Sequence, residues 1–168
     1  MTYDDGPESK LQKNSTGGIG VSDHLEAFLR SAEAAVVARN QARERREDSD
    51  EEARQRLVPL LERVEKFMDA SARAADQLGV VRVSDAMPSG PGLSKLMTVA
   101  TKNGPSVATC VTLTQSSPAK CAASVEVDGS VGSGGSKQFN LPADSDLVDA
   151  WLREAMGNAF NAMLARLT

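Results

Sequence analysis

The strongest constraint in this chain is a change of hydrophobic period at Gly79. Before it, apolar residues recur at helical spacing. After it, they alternate, as in strands with one buried face. Leu25, Phe28, Leu29, Ala32, Ala35 and Val36 define one helical stripe. Leu57, Leu60, Leu61, Val64, Phe67, Met68, Ala75 and Leu78 define a second, with Gly79 as a C-terminal stop. Pro59 lies inside that second pattern and removes a helical hydrogen bond, so a kink is expected there.

The two stripes are separated by ARERREDSDEEARQR, residues 42–56. Arg39 to Arg56 carry six arginines and six acids, so the run is electrically neutral. Arg43–Glu47, Arg46–Asp50, Asp50–Arg54 and Glu52–Arg56 stand at i,i+4, where opposite charges support a solvated helix. Asp48-Ser49-Asp50 is the local weak point, because these side chains favour caps and turns. Ser49 with Glu52, like Ser22 or Asp23 with Glu26, forms a possible capping box.

A single helix over residues 23–78 would run roughly 80 Å at 1.5 Å per residue and leave its apolar stripe uncovered. A turn near Ser49 places Val36 opposite Leu61, and Phe28 opposite Phe67 and Met68. Burying such side chains is worth about 1.5–3 kcal/mol each, against about 0.2–0.5 kcal/mol for each ion pair. Within a monomer this balance favours a helical hairpin. A kinked long helix is the alternative if a second subunit covers the stripe.

Five strands are expected after Gly79: VVRVS (80–84), SKLMTVATK (94–102), VATCVTLTQ (107–115), AKCAASVEV (119–127) and KQFNL (137–141). Asn103-Gly104 marks a hairpin, disturbed by Pro105. Matching apolar faces places Leu113 across from Cys121 and Val111 across from Ala123, so Cys110 and Cys121 lie on opposite faces. Asp144, Ser145 or Asp146 then caps a last helix whose apolar band from Leu147 to Leu167 covers the sheet, with Trp151 as its expected hub.

The expected fold is therefore α+β: an N-terminal helical hairpin or kinked long helix, an antiparallel sheet of four or five strands, and a packed C-terminal amphipathic helix. Residues 1–20 read as a flexible polar tail. Residues 21–168 read as one domain, helical over 21–79, sheet over 80–141 and helix over 144–168.

The chain of 168 residues carries a net charge of −4. Ten Lys and Arg stand against thirteen Asp and Glu over residues 21–78, and five against three over 79–141. Neither segment concentrates positive charge, so no nucleic-acid partner is expected. The longest apolar run, AAVVA, is far short of a membrane span, and no secretory segment is visible, so the expectation is a cytoplasmic protein off the membrane.

Chemistry is sparsely supplied. The single histidine, His24, lies at a helix start without an HExxH pattern or a second histidine, so no metal ligand set is expected. No GxSxG elbow accompanies it, and no catalytic residues are assigned. DGSVGSGGSK (128–137) lacks the Gly-Lys-Ser/Thr of a phosphate loop and leads into a strand, so it reads as a flexible hairpin connection. DAMPSGPG (85–92) reads as a crossover loop, and DSDLVD (144–149) as capping rather than a calcium loop. No cofactor is expected.

What remains is association. Ala27, Ala34 and Ala38 line the side of the first helix opposite its main stripe, with Val37 beside it. So little polar surface suggests packing on more than one side. The expected function is a non-enzymatic protein that self-associates, as a homodimer, or binds another protein through its N-terminal helices. The alternative is a small-ligand domain with a pocket at Trp151 and Met156, between the sheet and the C-terminal helix.

Overall fold

A computed structural model describes residues 20–168, which divide into two units between Ala42 and Arg43. The polar tail expected over residues 1–20 lies, except for Gly20, outside the described residues. The chain forms a helix α1 (Val21–Ala75), six strands β1 (Val80–Val83), β2 (Met87–Ser89), β3 (Gly92–Ala100), β4 (Ser106–Ser117), β5 (Lys120–Val127) and β6 (Ser130–Asn140), and a helix α2 (Ser145–Leu167). The class is α+β, with a long N-terminal helix, an antiparallel sheet and a C-terminal helix.

The expected turn at Ser49 is absent, because α1 is continuous from Val21 to Ala75. Three ion pairs along the charged run hold it helical: Arg43–Glu47 at 3.5 Å, Arg54–Glu51 at 2.7 Å and Arg56–Glu52 at 4.0 Å. Arg54 thus pairs at i,i+3 instead of with Asp50, and its Nη1 also donates to the Gly90 carbonyl at 2.6 Å. No glycine or proline interrupts residues 43–58, and the helix continues through Pro59.

The second stripe finds its partner in the sheet. Leu57, Leu60, Val64, Met68 and Ala75 are buried in one core with residues of β3, β4, β5 and α2. At about 1.5–3 kcal/mol per large apolar side chain, this contact supplies what the hairpin was expected to supply. α1 ends at Ala75, ahead of the expected stop at Gly79. Gly79 instead permits close passage along β3, since a Cβ there would stand 2.2 Å from the Ala100 carbonyl oxygen.

The sheet runs β1-β3-β4-β5-β6, antiparallel throughout, with β2 also pairing β3. It therefore has six strands, one more than the upper expectation. β2 lies in the stretch expected to cross over as a loop. Ser89 pairs with Gly92 across a two-residue Gly90-Pro91 turn, and Gly90 takes a φ of 52°. β6 starts seven residues before the expected strand, because Asp128-Gly129 makes a tight turn with φ of 48° and 78°. Both central residues at positive φ are the hallmark of the hairpin turn that Asp-Gly favours. Between the Val125–Gly135 and Val127–Ser130 pairs β6 departs from regular register. There a Cβ on Gly134 would meet the Val125 carbonyl oxygen at 2.3 Å.

Register between β4 and β5 differs by two residues from expectation: Leu113 faces Ala123 and Val111 faces Val125. A two-residue Pro118-Ala119 turn closes on Ser117–Lys120, with an irregularity at Ser116. An even shift preserves the faces. Met97, Val99, Val107, Val111, Leu113, Cys121, Ala123, Val125 and Val127 all point into the helix-covered core.

Asp144 caps α2, its side chain accepting from the backbone N–H of Asp146 at 2.9 Å and of Leu147 at 3.4 Å. Val148, Leu152, Ala155, Met156, Ala159 and Met163 are its buried residues. Trp151 is only half-buried, packed edge-on to Phe139 with ring centroids 5.5 Å apart, so Leu152, Ala159 and Met163 form the centre instead. Arg63 of α1 pairs with Asp149 of α2. At the other end of α2, Arg166 donates to the Val127 carbonyl at 3.0 Å and to the Asp128 carboxylate at 2.9 Å. The Ala108 N–H, and then Arg166, hold the Asp128 carboxyl below its ordinary range. Its contribution to stability is thus present above that range and is lost as pH falls below it and through the carboxyl's lowered value.

One buried hydroxyl in this core lacks a partner. Thr109 Oγ1 is fully covered on the helix-facing side of β4 and makes no hydrogen bond. Thr109→Val keeps the shape and removes the cost of the unpaired group. Denaturant unfolding is expected to show a gain of about 1–2 kcal/mol; a loss would mean that the hydroxyl has a partner in solution.

Candidate interaction surface

Residues 20–42 are the described part of the smaller unit, and their helix begins on a cap of their own. The Asp23 and His24 N–H groups donate to the Gly20 carbonyl at 2.9 and 3.2 Å, and the Asp23 carboxylate accepts the Gly20 N–H at 3.3 Å. This arrangement, with its acid three residues after the cap, sits two or three residues before the expected cap at Ser22 or Asp23 with Glu26. The acid also suits the positive helix end. One turn later Arg30 pairs with Glu26 at 3.3 Å, both well exposed.

On this helix the large apolar side chains face solvent. Leu25 is 57% exposed, Phe28 66%, Leu29 48%, Val36 59% and Val37 54%. Isolated exposed leucines are ordinary, but Leu25, Phe28, Leu29 and Val36 fall on one helical stripe, with Val37 to one side of it. Ala27, Ala34, Val37 and Ala38, expected to form an interface, are exposed too. The hairpin expected from sequence would cover the stripe of Leu25, Phe28, Leu29, Ala32, Ala35 and Val36, whereas the continuous helix leaves its large side chains exposed. The signal available was the absence of a helix breaker in the charged run.

The other expected site residues are not brought together. Met156 is buried among the core residues of α2, whereas Trp151 borders a shallow polar depression of 320 Å³. Gly134, Gly135, Ser136, Glu154 and Asn158 line it with Trp151, and Met156 does not. His24 is exposed in the first helical turn. Among the described residues, no group of three or more His, Cys, Asp and Glu side chains could hold a metal ion.

The side of the sheet away from the core is formed by Ser94, Leu96, Thr98, Cys110, Thr112, Thr114, Ala122 and Ser124, all partly exposed. Lys95 has the opposite orientation: it is 9% exposed on the helix side, with its ammonium 2.9 Å from Glu65. That buried charge stays compensated by its partner on α1.

Both cysteines are free, and they face opposite sides of the sheet. Burial pushes the Cys121 thiol up to about 11, while Cys110 is half-buried with Thr112 Oγ1 at 3.8 Å. Since the thiolate is the reactive form, iodoacetamide at mildly alkaline pH is expected to modify Cys110 alone in the folded chain. Mass spectrometry should find Cys121 alkylated only after denaturant is added; equal labelling of both would contradict the packing of β5.

No protein-family model matches the chain, and comparisons with curated proteins and with solved structures return no match.

Proposed function

We propose that this chain is a non-enzymatic protein that associates with itself through residues 25–37 of α1. The observation that carries the reading is the stripe of Leu25, Phe28, Leu29 and Val36, four large apolar side chains each between 48% and 66% exposed. Leaving them in water forgoes about 1.5–3 kcal/mol per side chain that a partner surface could recover. Alanines on the remaining helix surface allow a second helix to approach closely.

Among the described residues, the groups with displaced pKa do not gather at one place. Glu51, Cys121 and Asp128 lie on different elements, and each responds to a local contact: Arg54, burial and the Ala108 N–H respectively. Two unpaired thiols suit a reducing compartment such as the cytoplasm. No described helix is long and apolar enough to cross a membrane. A second reading, a small polar ligand in the depression beside Trp151, draws support from its Glu154 and Asn158 side chains. Quenching or shift of Trp151 fluorescence on ligand screening is its test.

Light scattering tests the first reading. The wild-type chain of 17.8 kDa is expected to run at a multiple of that mass at micromolar concentration. Leu29→Glu with Val36→Glu is expected to return it to a single chain mass with unchanged helical circular dichroism. Association should weaken by about tenfold or more per substitution. A wild-type monomer at all accessible concentrations would remove the proposal.

A further inference from the structure

The association proposed above leaves open how the two helices run, and the inference here rests on that reading. Leu25, Leu29, Ala32 and Val36 follow a four-three-four spacing, and Arg39 is next at the same rhythm. We infer that the partner of this segment is the same segment of a second copy, running antiparallel and centred between Leu29 and Ala32.

Three features select this orientation. The first is volume. An antiparallel pair sets Leu29 against the second copy's Ala32, and Leu25 against its Val36, so every layer is filled and the helix axes stay evenly spaced. A parallel pair in register would alternate a wide Leu29–Leu29 layer with a thin Ala32–Ala32 layer, against the large-to-small matching that close packing requires. The second is the flank. Antiparallel helices bring matching flanks together, which lays the 66%-exposed Phe28 over the second copy's Ala35. Parallel helices would set Phe28 beside Glu33 and bury neither well.

The third feature is charge. In the parallel arrangement Arg39 meets Arg39, and Arg43 and Arg46 continue that spacing in the sequence. Like charges stacked in a seam oppose association. The antiparallel arrangement moves Arg39 to the far end of the partner helix, beside Ser22 and the carboxylate of Asp23. On the polar flank Glu26 approaches the second copy's Glu33, and Arg30 stands between the acids of both chains, already paired with Glu26 at 3.3 Å.

Double electron–electron resonance on the full chain tests the orientation. Asn40→Cys in a Cys110→Ser background takes a single nitroxide label at an exposed position, since Cys121 is buried. Antiparallel helices separate the two labels by about 28 Å along the axis, at 1.5 Å per residue. Parallel helices place them side by side, within about 20 Å once the label arms are included. A distribution centred near the longer distance supports the inference. A dimer with the short distance overturns the orientation and leaves self-association standing, whereas a monomer overturns both. Arg39→Gln gives an independent readout. It is expected to weaken the antiparallel dimer about three- to tenfold by removing two exposed ion pairs; tighter association, as relief of a parallel arginine stack would produce, overturns the inference.

Discussion

Everything in the larger unit depends on covering one face of a five-strand-wide antiparallel sheet. Met97, Val99, Val107, Val111, Leu113, Ala123, Val125 and Val127 present a continuous aliphatic surface. A single helix about 10 Å across cannot cover strands spaced about 4.8 Å apart over that width. α2 supplies one cover, and residues 53–75 of α1 supply the other. Leu57, Leu60, Val64 and Met68 are consequently committed to the sheet. The competition between a helical hairpin and a helix-on-sheet layer is settled by which surface has no other partner.

That commitment also explains the polar contacts. Lys95 sits among aliphatic residues on the covered side of β3, where an unpaired ammonium would be costly; Glu65 on α1 compensates it. Arg63–Asp149 ties α1 to α2, and Arg54 ties α1 to the Gly90 carbonyl in the β2–β3 turn. These contacts join the same three elements that the aliphatic core joins, and they fix the register of α1 on the sheet. On the smaller unit the same kind of apolar spacing leaves Phe28 and Val36 exposed.

Much of the sheet was legible because alternation reports burial directly. The faces of β4 and β5 follow from Val107, Val111 and Leu113 and from Cys121, Ala123 and Val125, whatever the register between them. The register was less legible, because a shift of two residues leaves both faces apolar and only the Pro118-Ala119 turn distinguishes the alternatives. β2 was hidden by its length: three residues containing a proline carry no period. The first half of β6 was hidden by glycines, which supply no hydrophobic signal, although Asp128-Gly129 marks the turn before it. The candidate surface was legible as a stripe and illegible as a surface, since apolar residues at helical spacing look the same whether they are covered or bare.

The amino-acid sequence by itself determined the class of the fold, the helical and extended halves, the strand faces, the separation of the two cysteines and the start of α2. All of these follow from local periodicity, turn chemistry and capping, which act over a few residues. The tertiary structure alone decided that Leu57 to Met68 belong to the sheet and that Leu25 to Val37 are left exposed. Those outcomes turn on which apolar surfaces compete for one another across the chain. Burial energy depends on the area that two surfaces share, and no local pattern records which partner a surface will find.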